Sequence, residues 1–129
     1  MSGSRTPLLI DCDTGIDDAL ALLYACASPE AEIVGVGCVA GNVELPHIVH
    51  NTLAVLELAG RGDIEVAAGR EAPIARPLRT AGDTHGPTGL GHAERPAPAA
   101  APGPRDAAQM IIDHARERPG EITLVTLGP

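Results

Sequence analysis

Short apolar runs alternate with stretches of helical period along this chain. "PLLIDCD", starting at Pro7, reads as a buried strand. "DDALALLYACAS" reads as a helix with Leu20, Leu23 and Ala27 on one face, closed by Ser28 and Pro29. "AEIVGVGCVAG" is a second strand, rich in valine and glycine. In "ELPHIVHNTLAVLELAGRG" the residues Leu45, Ile48, Val49, Leu53, Leu56 and Ala59 recur with the 3.6 period, and the glycines at 60 and 62 stop the helix. "IEVAAG" predicts a short third strand. "RDAAQMIIDHARERPG" predicts a third helix stopped at Pro119 and Gly120, and "EITLVTLGP" a fourth strand. Strands alternating with helices predict an α/β fold: an open, mostly parallel, Rossmann-like sheet with helices on both faces.

The irregular segment from Gly69 to Pro104 interrupts this alternation. A loop of that length is functional or disordered more often than not. Its glycine-rich part, up to Gly91, predicts an adaptable active-site loop, and "APAAAPGP" an extended tether. The last strand runs into "TLGP" with no helix after it. In parallel sheets ligands bind at the carboxyl ends of strands, so residues 1–129 are expected to be the N-terminal part of a single, longer α/β domain.

Composition narrows the function. There is no Phe or Trp and a single tyrosine, so the core must be built from Leu, Ile, Val and Ala. A net charge of −8 argues against a nucleic-acid partner, which needs a basic patch. The apolar runs are too short to span a bilayer, and "MSGSRTP" lacks the apolar stretch of a signal peptide. Cys12, Cys26 and Cys38 are scattered and odd in number, which predicts free thiols in a reducing compartment and a cytoplasmic location.

The chemistry concentrates in "DCDTGIDDA", residues 11 to 19, where four carboxylates straddle a strand end and a helix start. Asp17 or Asp18 alone would be ordinary first-turn acids facing the helix dipole. Asp11 and Asp13 are not explained that way. Oxygen donors without His or Cys suit a hard cation, Ca²⁺ or Mg²⁺. Gly15 is expected to let the backbone turn between the two pairs. An EF-hand is excluded, because Gly15 stands where its third acid belongs and Leu22 where its bidentate Glu belongs. "GVGCVAG" fails the spacing of a dinucleotide fingerprint.

"LLIDCDTGIDDALAL" resembles the N-terminal signature of the nucleoside hydrolases, the inosine/uridine-preferring family, whose pattern is D-x-D-x-G-x-D-D-A after an apolar strand. "VGVGCVAGN", "HNTLAVLELAG", "AAGREAPIARPL", "THGPTGLG" and "ITLVTLGP" resemble later family segments in the same order. The alternatives are a Mg²⁺-dependent phosphatase of the haloacid-dehalogenase type, which also has D-x-D after an apolar strand but Gly-Thr where this chain has Thr14-Gly15, and a non-catalytic metal- or ribose-binding remnant.

The resemblance implies calcium-dependent hydrolysis of the N-glycosidic bond of ribonucleosides to ribose and free base. It implies that Asp13 and Asp18 bind Ca²⁺, that Asp13 is also the general base, and that the Leu127 carbonyl is a further ligand. Asp17, Asn42 and His85 would contact substrate, with Asp11 supporting the site from behind the ligands. It implies a dimer or tetramer for the full-length protein. The family's base contacts and its last calcium-binding Asp belong to its second half. The 129 residues alone are therefore expected to be inactive and to bind Ca²⁺ weakly.

Overall fold

A computed structural model describes residues 3–129. The elements follow the order β1 (Thr6–Cys12), α1 (Ile16–Ala27), β2 (Ala31–Cys38), α2 (Leu45–Leu58), β3 (Val66–Ala68), α3 (Gly82–His85), α4 (Ala107–Glu117) and β4 (Thr123–Thr126). The four strands form one parallel sheet in the order β3-β2-β1-β4. Among the described residues no helix is long and apolar enough to cross a membrane.

Alternation along the strands sends side chains to two separate cores. Ile10 and Cys12 of β1 join Cys38, Val66, Leu22 of α1 and Ile48 and Leu56 of α2. Leu9 faces the other way and joins Ala67 with Ala107 and Met110 of α4. Glycines in β2 make that second face shallow. A Cβ on Gly35 would lie 2.8 Å from Met110 Sδ, and one on Gly37 would lie 3.1 Å from the Cβ of Ala107. Close backbone approach is what glycine within a strand provides.

Local signals set the helix ends. Pro46 sits in the first turn of α2, where its missing N–H is no loss. At the other end Gly60 adopts φ +73, while Gly60 N–H donates to Glu57 O and Arg61 N–H to Leu56 O, closing a Schellman motif. Asp106 caps α4 by accepting from Gln109 N–H at 2.8 Å.

Two expectations need correction. The buried stripe of α1 runs through Asp18 and Leu22, with Leu23 of the expected face packed partly buried against the same core, while Leu20, Tyr24 and Ala27 are exposed, Leu20 and Tyr24 at 63% and 78%. Asp18 turns inward because it accepts a hydrogen bond from Asp13 N–H, and helical spacing then carries Leu22 to the core. The long connection also contains the short helix α3, and its Pro/Ala part is tied down. Ala99 N–H donates to Glu57 Oε2, Gly103 N–H to Val66 O, and Arg105 binds both Glu65 and Asp113.

Candidate active site

The strand order changes direction at β1, which has β2 on one side and β4 on the other. That switch point is where open α/β sheets bind ligands. The acidic loop leaves the carboxyl end of β1 there. Beside it, Leu127 N–H donates to Asp11 O at 2.7 Å, which brings the end of β4 against the same loop.

Asp13 is buried and clasped. Its Oδ2 accepts from Asn42 N–H at 2.9 Å, and the Asn42 side-chain amide donates back to Asp13 O at 2.9 Å. This reciprocal pair explains the "AGN" stretch. A Cβ on Gly41 would collide with Asp13 Oδ2, so only glycine leaves room for the carboxylate. Gly41→Ala is expected to displace Asp13 and to destabilise the fold by about 1–3 kcal/mol, which a thermal melt checks.

Asp18 is buried beside Asp13. Its Oδ2 accepts from Asp13 N–H at 3.0 Å, which brings the two acids together in one buried site. Desolvation first, then the contact with Asp13, pushes the Asp18 carboxyl up to about 7, although the Asp13 N–H pulls the other way. A pair of carboxylates crowded in this way is relieved by a proton or by a cation.

Asp17 lies in the first turn of α1 and is exposed. Gly15 has φ −113, a conformation open to any residue. Its use is therefore space rather than the expected turn: a Cβ there would lie 2.7 Å from His85 Nδ1 and 2.8 Å from Asn42 Nδ2. His85 ends α3 and accepts from Ile16 N–H through Nδ1 at 3.3 Å, so the glycine-rich loop does reach the acidic loop. Asp11 lies apart. Its carboxyl is on the α4 side of the sheet, 3.8 Å from the position of a Cβ on Gly37, and makes no hydrogen bond among the described residues. Desolvation, then the charge of Asp13, raises its pKa.

The donor set fits a hard cation in its chemistry, since it presents carboxylates and backbone carbonyls without nitrogen or sulfur. It is sparse. Among the described residues no three His, Cys, Asp or Glu side chains gather around one point. Asp13 and Asp18 are the two that pair, and within these 129 residues the remaining ligands of a cation would be backbone oxygens and water.

A buried polar layer beneath the loop went unread in the sequence. Thr14 Oγ1 pairs with Thr52 Oγ1 at 2.7 Å, and these hydroxyls bind the thiols of Cys12 and Cys38 at 3.3 Å each. The signal was available: Asn51 and Thr52 are polar residues within the apolar stretch of α2, and both are fully buried.

Comparison with known proteins gives a consistent result. The family model "Inosine-uridine preferring nucleoside hydrolase" matches residues 8–129. The pyrimidine-specific ribonucleoside hydrolase RihA of Photobacterium profundum is 45% identical over 123 residues, which is 95% of this chain and 40% of the relative. The probable uridine nucleosidase 2 of Arabidopsis thaliana is 40% identical, over 98% of this chain and 40% of its own length. Among solved structures, a plant nucleoside hydrolase superposes with a TM-score of 0.92 at 38% identity, covering 97% of this chain and 40% of that one. The purine-preferring ribonucleoside hydrolase of Gardnerella vaginalis superposes at 0.90 with 31% identity, over 95% of this chain and 40% of its own. The chain thus spans about 40% of the length of the relatives it matches.

Proposed function

This chain belongs to the inosine-uridine preferring nucleoside hydrolase family, and from that premise we propose that its acidic loop is a calcium and ribose site for hydrolysis of the N-glycosidic bond of ribonucleosides in the whole protein. The observation that supports this best is the buried Asp13–Asp18 pair at the sheet's switch point, with Asp13 held from both sides by Asn42.

Each residue then has a role. Asp13 and Asp18 hold the cation, with the carbonyl of Leu127 as a further ligand. Ca²⁺, when bound, orients a water, lowers its pKa and takes ribose hydroxyls. Asp13 is the general base that accepts the proton of the attacking water, and the Asn42 N–H fixes the orientation of its carboxylate. The exposed Asp17 accepts from a ribose hydroxyl, and Asn42 and His85 line the sugar. Carboxylates around the ring stabilise the oxocarbenium-like charge that develops as the base departs. Asp11 supports the loop from the far side of the strand.

Two carboxylates and a carbonyl are few for an ion that takes six to eight oxygens, so Ca²⁺ binds these 129 residues weakly. Binding also displaces the proton held by Asp18. Affinity is therefore expected to be level above about pH 8 and to weaken as pH falls through about 7, by roughly tenfold per unit at its steepest. Calorimetry at pH 6 and 8.5, in buffers of different ionisation enthalpy, reads the released proton directly. Free thiols at Cys12, Cys26 and Cys38 fit a reducing, cytoplasmic location, and the self-assembly of the whole protein as a dimer or tetramer is part of the same proposal.

The test is ribose release from uridine and from inosine by the whole protein, against phosphate release from p-nitrophenyl phosphate, with Ca²⁺ or Mg²⁺. Ribose release supports the proposal; phosphate release alone overturns it. The phosphatase alternative needs Asp11 as nucleophile, yet that carboxyl is turned toward α4 and its pKa is raised by desolvation. No release of either kind leaves the non-catalytic alternative.

A further inference from the structure

Asn51, in the middle of α2, is fully buried, and no step proposed above uses it. Its side-chain nitrogen donates to Thr14 O at 3.1 Å and to Thr88 O at 2.7 Å. An amide NH₂ carries two hydrogens in a fixed fork, and here each goes to a different loop. Thr14 lies in the acidic loop, and Thr88 in the glycine-rich loop that follows His85. The orientation of the amide is determined, because the reverse would set its oxygen against two carbonyl oxygens. The Asn51 Oδ1 is left buried without a partner. A position that needed only packing would hold an apolar residue instead, since an unpaired buried acceptor is unfavourable.

The glycine-rich loop fits closely over this amide. Gly89, at φ +96, would place a Cβ 2.9 Å from Asn51 Nδ2 and 3.1 Å from Val43 Cγ2. Among the described residues the other polar tie between the two loops is the longer, exposed contact of His85 Nδ1 with Ile16 N–H at 3.3 Å. That contact requires the neutral tautomer with the proton on Nε2.

We propose that Asn51 is a positioning residue that clamps residues 86–91 onto the acidic loop and so holds His85 at the start of α1, beside Gly15 and Asn42. Its relevance to catalysis rests on the reading of the acidic loop as a calcium and ribose site. Sites on loops are kept productive by buried neighbours that lock them, and Asn51 locks two loops at once.

The test is hydrogen exchange on the metal-free chain, with ¹⁵N spectra of His85 in alkaline buffer. In Asn51→Ala the amides of Gly89 and Gly91, which donate within the loop, should exchange at least about tenfold faster. The Nε2–H tautomer signal of His85 should give way to a mixture. Amides of β1 and β2 should stay within about twofold. Thr52→Val, one residue away, should leave the loop unchanged. If Asn51→Ala does not fold, Gly89→Ala, which wedges a Cβ between the loop and the buried amide, should give the same local signature. Unchanged loop exchange, or uniformly faster exchange across the sheet, overturns the proposal. The readout needs no ligand, so its failure leaves the calcium reading intact, and absence of Ca²⁺ binding would leave the clamp intact.

Discussion

Replacing Asp13 with alanine is expected to lower ribose release by the whole protein by at least about 10³-fold, because the proposed mechanism gives one carboxylate the work of both general base and cation ligand. Stability should change little by comparison. The variant loses the acceptor of Asn42 N–H, a loss of about 1–2 kcal/mol. It also frees Asp18 from a like charge in a buried site, and that gain opposes the loss. A reducing-sugar assay beside a thermal melt separates the two effects. A variant within tenfold of the parent rate would remove Asp13 from the base role.

Asp18→Asn carries the second large expectation, and here binding and stability move in opposite directions. The amide oxygen still accepts from Asp13 N–H, and the amide nitrogen can donate to the Asp13 carboxylate. Calcium binding is lost with the charge, while the metal-free fold gains. The sign follows from the raised carboxyl. The folded chain holds this proton up to about pH 7 and the unfolded chain releases it near 4, so the metal-free protein loses stability as pH rises between those values and levels off above. Asp18→Asn lacks that slope. Above about pH 7 it should be more stable than the parent by on the order of 1–2 kcal/mol after solvent screening, several degrees in Tm. Thermal melts from pH 4 to 8 check this, and saturating Ca²⁺ should restore the parent alone. Parallel pH profiles for the two proteins would show that the carboxylate pair is not strained.

The strand and helix periods in the sequence account for the sheet, its parallel order and helices on both faces, because each long element obeys its own periodicity. The side chains that break periodicity were harder to read. Asp18 is a charged residue on a buried stripe, held there by the backbone of a residue five positions earlier, and it rotated α1 away from the expected face. Gly15 and Gly41 look like turn residues by composition, yet each is there because another side chain occupies the space of its Cβ. Helix α3 depends on Ala81 N–H finding Asn42 O, a pairing between distant parts of the chain that no local pattern announces. The acid cluster itself was legible, because four carboxylates at a strand end have few structural explanations. How unequally they are used was not. Asp13 and Asp18 pair, Asp17 faces outward, and Asp11 belongs to the other side of the sheet.

A calcium site built on Asp13 and Asp18 is read by calorimetric titration of the 129-residue chain, with Asp18→Asn measured alongside. One saturable site per chain is expected at pH 8, with a Kd between about 10 µM and 1 mM, and no heat from the variant. Absence of binding at about 10 mM Ca²⁺, or binding that Asp18→Asn leaves unchanged, would contradict that expectation.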